Sequence, residues 1–361
     1  MTEDVYVQLA ELLNRIPNGF APVEDGTHLR ILEWIFTPEE AELATKLRLW
    51  GETVNELATR LEMSAGELGP FLETMVQKGQ IRALNTSTGR RFCLMPYAVG
   101  IYEEQLDRMD AELAQLFEDY FQKARGAGSF DTEPAIFQVV PVNHAISTEL
   151  EIHAYQNAEA MINNSKSWGV RECICKKQQE LIGNECKYPT TVCINLDPRK
   201  ENAFENDELT KPISKDEAIQ ILRDAEESGL VHCTMNIQEG HSYICNCCTC
   251  CCGVLRGLTL LDQPHAFVKS DYRLEVDADL CVACESCVER CQFDALSVPD
   301  DVCVVDLNRC VGCGVCTLVC PEGALSLVSK ESGEKAERPK RFMDWMTQKA
   351  MARGVDPSDL M

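Results

Sequence analysis

The chain has 361 residues and a net charge of −24, with an isoelectric point near 4.7. It is long enough for two or three domains and too acidic for nonspecific attachment to nucleic acid or anionic lipid. No apolar run approaches a membrane span, and the opening Met1-Thr-Glu-Asp-Val5 lacks the basic start and apolar core of an export leader. Twenty-one cysteines in such a chain point to metal ligation in a reducing compartment, the cytoplasm, rather than to disulfides.

The first predicted elements are helical. Thr37-Pro38 with Glu40 three residues after the threonine is a strong helix start, and the pattern runs to Leu47. Thr53 to Leu61 gives a second short amphipathic helix with Val54, Leu57 and Leu61 on one face. A third spans Ala65 to Lys78 and closes at Gly79. Ile81–Leu84, a turn over 85–89 and Arg91–Leu94 then read as a hairpin. Over about residues 25–96 this order of three helices and a hairpin resembles the winged helix-turn-helix domains. A DNA reader of that class presents Arg, Lys, Asn or Gln from its third helix. Here that helix offers Glu67, Glu73, Gln77 and Lys78, and only Arg82, Arg90 and Arg91 around the wing could meet phosphate. The expectation is a docking or structural domain, with DNA disfavoured as a partner.

From Pro96 the pattern predicts a long helix through Tyr102–Phe121, with Leu106, Met109, Leu113 and Phe117 in one stripe that serves as core or as a subunit interface. Gly126 to Pro134 breaks it, and Phe137–Val142 reads as a strand entering the next unit. The first domain is placed at residues 1–130.

Residues 131–270 form a cysteine-rich middle domain. Cys173, Cys175, Cys186 and Cys193 make a C-x-C-x10-C-x6-C set, the ligand count of one further iron–sulfur cluster or of a zinc ion. A second concentration holds Cys245, Cys247, Cys248, Cys250, Cys251 and Cys252, with His232, Cys233 and His241 just upstream. Adjacent cysteines cannot all bind one cubane without severe backbone strain. An extra cubane completed from the first set, a noncubane cluster and a dithiol that cycles with a disulfide all stay open. Between the sets, the capping box Ser214-Lys-Asp-Glu217 starts a helix that ends at Gly229 and fixes the geometry of the two sets. His232 and His241 are expected to be core residues or supports of ligands.

The densest signal lies between Cys281 and Cys320. C-x2-C-x2-C-x3-C is written twice, as Cys281, Cys284, Cys287, Cys291 and as Cys310, Cys313, Cys316, Cys320, at an offset of 29 residues. Small residues at Ala283, Gly312 and Gly314 let backbone amides approach the sulfurs. Cys291 and Cys320 are expected to start short helical or turn segments, each followed by a strand, Ala295–Val298 and Ala324–Leu327. Residues 271–330 resemble the bacterial two-cluster ferredoxins. The resemblance implies one [4Fe–4S] cluster on Cys281, Cys284, Cys287 and Cys320, and a second on Cys310, Cys313, Cys316 and Cys291, because each fourth cysteine crosses to the other cluster. Gln292 departs from the proline usual after the fourth cysteine. Zinc is disfavoured here, since zinc sites rarely use eight cysteines in this interleaved order. Oxygen-sensitive clusters of this kind point to an anaerobic or microaerobic owner.

Residues 331–361 read as a charged linker and a terminal helix carrying Phe342, Trp345, Met346 and Lys349, aimed at a partner groove or back onto the core. The fold class expected is α+β and multidomain. No dinucleotide fingerprint, P-loop or nucleophile elbow is present. The sequence therefore predicts an electron carrier or oxidoreductase subunit, relaying electrons through at least two [4Fe–4S] clusters to or from a redox partner protein. The alternatives are an iron–sulfur-sensing transcriptional regulator and a reductase with a catalytic cysteine-rich centre.

Overall fold

In the computed structural model, which describes residues 4–146, 153–356 and 358, helices and strands are mixed along the whole chain. The opening Met1–Glu3, part of the segment read above as lacking a leader, lies outside the described residues. Two compact units emerge: Met1–Glu133 with Leu181–Gly183 and Met346–Met361, and Pro134–Glu180 with Asn184–Trp345.

The first unit begins with α1 (Val5–Arg15), α2 (Thr27–Ile35) and α3 (Pro38–Ala44). Thr37 caps α3 by accepting the Glu40 amide, and the Glu40 carboxylate accepts the Thr37 amide in return. That carboxylate is buried and also receives Lys78 at 2.6 Å and Gln80 at 2.7 Å, so the cap locks α3 to the chain beyond the third predicted helix. Strand β1 (Glu52–Thr53) leads into α4 (Val54–Leu61), which Thr53 and Glu56 cap in the same reciprocal way. After α5 (Ala65–Gln77), β2 (Ile81–Thr86) and β3 (Gly89–Leu94) pair through a turn of only Ser87 and Thr88, and β1 adds to β3 to give the order β1-β3-β2.

The long helix expected over Tyr102–Phe121 does not form. Only α6 (Ala111–Ala124) is α-helical, because the Asp110 side chain accepts the Leu113 amide at 2.9 Å and starts a new helix there. The stripe itself is core: Leu106, Met109, Leu113 and Phe117 are all buried.

The second unit carries β4 (Phe137–Val140), α7 (Ala158–Asn163), β5 (Ser167–Glu172), α8 (Ile174–Leu181), β6 (Thr191–Asp197), β7 (Lys211–Ile213), α9 (Lys215–Ser228), β8 (Val231–Met235), β9 (Tyr243–Cys247), α10 (Gly253–Thr259) and β10 (Phe267–Val268). Its seven strands run β10-β4-β8-β9-β6-β5-β7, antiparallel except for the β10 and β4 pair. The Ser214 and Glu217 capping box starts α9, and Gly229 ends it at φ +88°. Ala218 and Leu222 of α9 and Met161 and Ile162 of α7 pack with Ile194 and Ile244, so the helices cover one face of the sheet. Side chains alternate along a strand. Cys193 and Cys245, adjacent to those isoleucines, therefore face the other way.

The same unit continues through β11 (Tyr272–Val276), α11 (Ser286–Arg290), β12 (Leu296–Ser297), β13 (Val304–Val305) and β14 (Leu325–Ser329), with β11 paired to β14 and β12 to β13. The charged stretch after Lys330 is tied down at Arg338, whose buried guanidinium pairs with buried Asp271 at 2.7 Å and donates to Gln138 at 2.6 Å. In α12 (Phe342–Arg353), Trp345 is fully buried and donates to the Ala135 carbonyl at 2.8 Å. Of the two aromatics of this helix, Trp345 thus returns onto the core and only Phe342 is exposed.

Candidate metal centres

The twin motifs are shaped by a repeated backbone device. Ala283 and Glu285 in the first loop, and Gly312 and Gly314 in the second, all adopt left-handed φ, between +55° and +79°. The second pair requires glycine by space as well: a Cβ on Gly312 would lie 2.2 Å from the Tyr272 carbonyl oxygen. This curl turns main-chain amides onto sulfur. Gly312 and Leu274 bond Cys310, Val315 bonds Cys313, and Ser286 bonds Cys284. Cys291 and Cys320 follow short helical turns rather than starting them: Cys291 is the C-cap of α11, and Cys320 that of a 3-10 turn at Thr317–Val319.

Each fourth cysteine has thiols of the other motif among its neighbours. Cys291 interacts with Cys310, Cys313 and Cys316, and the same four line one cavity. Cys320 instead groups with Cys281 and Cys287 around Cys303, a cysteine between the motifs that the sequence reading passed over. Its thiol is 3.6 Å from the Cys287 sulfur and its amide donates to Cys281 at 3.4 Å. The signal available for it was position alone: one cysteine between two ligand runs. The Ala324 amide donates to Cys320 at 3.3 Å. Burial pushes the Cys313 thiol up to about 12 and Cys316 well above its ordinary range, whereas Cys284 is exposed and held down by its hydrogen bonds to Ser286. Cys287 also interacts with Cys316, so the two groups are neighbours.

Residues 274–297 and 303–326 each match the 4Fe–4S binding domain family. The two matched repeats give the chain a capacity for iron–sulfur electron transfer. No curated protein and no solved structure matches the chain.

Outside this 4Fe–4S module, the middle cysteines divide differently from their spacing. Cys186 leaves the set proposed for Cys173, Cys175 and Cys193 and joins Cys248, Cys250 and Cys251, whose sulfurs all lie within 4.8 Å of one another. Individual separations are 3.7 Å for Cys186 to Cys248, 3.8 Å for Cys186 to Cys250 and 3.6 Å for Cys250 to Cys251. Four sulfurs about 2.3 Å from one ion at tetrahedral corners are about 3.8 Å apart. This group fits a single ion. Among the described residues no other set of three or more potential ligands is so tight, and the thiols of the 4Fe–4S module are set wider.

The remaining six thiols gather with Cys233. Register pairs Cys233 on β8 with Cys245 on β9, and the Ile194 to Ile244 pairing carries Cys193 on β6 opposite Cys245. Three neighbouring strands thus present a row of sulfur on one face. Thiol contacts extend it from Cys193 to Cys173, from Cys173 to Cys175, from Cys175 to Cys252, and from Cys247 to Cys233, Cys245 and Cys252. Donation from Cys173 and Cys245 pulls Cys193 down to about 5, and donation from Cys233, Cys245 and Cys252 lowers Cys247, aided by the Lys176 ammonium. The intervening Asn246 points to the opposite face. It binds His232 at 2.6 Å and the Val192 carbonyl at 2.7 Å, and His232 reaches Glu226 of α9 at 3.1 Å. Both histidines serve the core: His241 contacts the Thr234 hydroxyl at 3.2 Å.

Gln292 joins the module to these thiols. Its side chain accepts the Thr249 amide at 2.8 Å and donates to the Gly229 carbonyl at 2.5 Å. Arg290 donates to the Glu226 carbonyl at 3.0 Å, and the Val142 amide, just past β4, donates to the Cys313 carbonyl at 2.9 Å. Cys233 and Cys313 are close enough to interact electrostatically.

Proposed function

We propose that this chain is an electron-transfer protein or oxidoreductase subunit that exchanges electrons with a redox partner protein and relays them through two clusters. When bound, two [4Fe–4S] clusters supply one-electron carriers. Cys281, Cys284, Cys287 and Cys320 would hold one, and Cys310, Cys313, Cys316 and Cys291 the other. The observation that carries the reading is the pair of matched 4Fe–4S repeats, whose thiols run from exposed Cys284 to Cys313, which interacts with Cys233 of the middle region. Amides on Cys281, Cys310, Cys313 and Cys320 offset the negative charge of the ligands.

Exposed Leu280 and Val282 flank Cys281 in the chain and exposed Leu318 stands two residues before Cys320, on a segment with 11 acidic and 4 basic residues from Asp271 to Lys330. An apolar spot in an acidic skin suits transient docking of a partner with a basic rim. Cys186, Cys248, Cys250 and Cys251 would hold one tetrahedral ion, zinc or iron, as a structural clamp on their loop. The chain is read as cytoplasmic from its cysteine usage, and no described helix is long and apolar enough to cross a membrane.

The segment from α3 to β3 is read as a winged-helix-like domain that docks protein rather than DNA. Arg90 is held by Glu73 of α5 at 2.7 Å and Arg91 by Glu56 of α4 at 3.0 Å, so two of the three wing arginines are already neutralised within the domain. To test the electron-transfer reading, anaerobic full-length protein is reduced with titanium(III) citrate, desalted and mixed with excess cytochrome c. Return of at least about two electrons per chain, one per cluster, is expected; absence of any reversible reduction would overturn it.

A further inference from the structure

The seven thiols on and around the sheet belong neither to the 4Fe–4S module nor to the four-thiol group. We propose that Cys173, Cys175, Cys193, Cys233, Cys245, Cys247 and Cys252 form the ligand chamber of one polynuclear iron–sulfur cluster, distinct from the two clusters of the module.

The first support is the way the backbone places the sulfurs. Cys193, Cys245 and Cys233 stand in line across β6, β9 and β8, at positions fixed by ladder hydrogen bonds rather than by a mobile loop. Cys247, two residues on from Cys245, shares that face by strand alternation. Cys173 and Cys175 enter from the junction of β5 and α8, and Cys252 from the N-cap of α10. Such a frame holds its ligands ready before any metal arrives. The strands are braced from behind by Asn246, His232 and Glu226, a buried polar chain on the opposite face.

The second support is spacing. Each of the seven has another of the seven as a thiol neighbour, yet no three of their sulfurs lie within 4.8 Å of one another. Cysteines used as small core hydrophobes do not string together in this way. A single ion needs the tight grouping seen at Cys186, Cys248, Cys250 and Cys251. A wider ring of thiols suits a core of several irons bridged by sulfide.

The third support is charge. Thiolates buried together repel one another unless positive charge is set among them. Iron supplies most of it in a cluster, and the buried Lys176 ammonium, beside Cys247 and donating to the Pro189 carbonyl, supplies more. Cys233 is close enough to Cys313 to interact with it electrostatically, so the chamber lies next to a thiol of the ferredoxin-like segment.

The inference does not depend on the electron-transfer reading, and one set of analyses separates them. Iron, acid-labile sulfide and zinc are measured on anaerobic full-length protein and on a Cys250→Ser variant, which removes an exposed ligand of the four-thiol group only. The module alone accounts for about eight irons. About twelve or more, with the excess over eight kept in Cys250→Ser, is the expected result. Cys193→Ser should then lose that excess while the reduced EPR signal of the module persists. About eight irons or fewer in Cys250→Ser overturns the chamber even if Cys193→Ser does not fold. Loss of the module's own reduced signal in the unmodified protein would instead count against the electron-transfer reading.

Discussion

Gln292 shows how one side chain can join two parts of a site. At the position after a fourth cysteine, proline would rigidify the turn but offer no hydrogen bond; glutamine ties that turn to the Thr249 amide and the Gly229 carbonyl. Gln292→Ala leaves two partly buried backbone groups without their partner, and a loss of about 1–3 kcal/mol is expected from urea unfolding of the full chain. Gln292→Pro should cost as much, although it restores the residue usual in two-cluster ferredoxins. The crossing of the fourth cysteines gives a sharper residue-level expectation. In Cys320→Ser, iodoacetamide should label Cys281, Cys284 and Cys287 while Cys310, Cys313 and Cys316 stay protected; the reverse pattern would refute the crossed assignment. His241 supplies the pH dependence. Burial lowers it from its ordinary 6.5 to about 4, so it stays neutral in the folded protein over a range where the unfolded chain takes up a proton. Its contribution is complete above about pH 6.5 and is lost as pH falls towards 4. Denaturation midpoints of wild type and His241→Gln should converge over that interval as the pH is lowered.

At the scale of elements, local signals were legible and register was not. The helix starts at Thr37 and Ser214 were visible in four residues each, and the structure forms both as capping boxes, with a third at Thr53. Asp110 was equally local, but the apolar stripe around it matched helical spacing and hid the break. The ferredoxin ligands could be read because a cluster loop draws three sulfurs from seven consecutive residues. The middle thiols could not, because the partner of Cys193 is set by how β6 lies against β9, across 52 residues of chain. Sequence spacing therefore put Cys186 with its neighbours in the chain, whereas folding gives it to Cys248, Cys250 and Cys251. The helix α9 is the support between these groups: it covers the sheet behind the thiol row and presents Glu226 to His232. Removing its cap with Ser214→Ala should lower stability by about 1 kcal/mol in calorimetry, without altering iron content, because the cap touches no thiol.

For the whole molecule, the net charge of −24 and the acidic skin of the module make partner docking a salt-sensitive event. Reduction of the chain by a basic redox protein should slow several-fold between low and physiological ionic strength, whereas reduction by a small neutral donor should not; stopped-flow absorbance distinguishes the two. All of this depends on eight thiols holding iron and sulfide. The most direct test is iron, sulfide and zinc analysis of anaerobically purified full-length protein, with EPR of the dithionite-reduced sample. At least about eight irons and eight sulfides per chain, with the signals of two reduced, magnetically interacting [4Fe–4S] clusters, is the predicted result. Zinc in place of iron, or a chain with no reducible signal, would contradict the account.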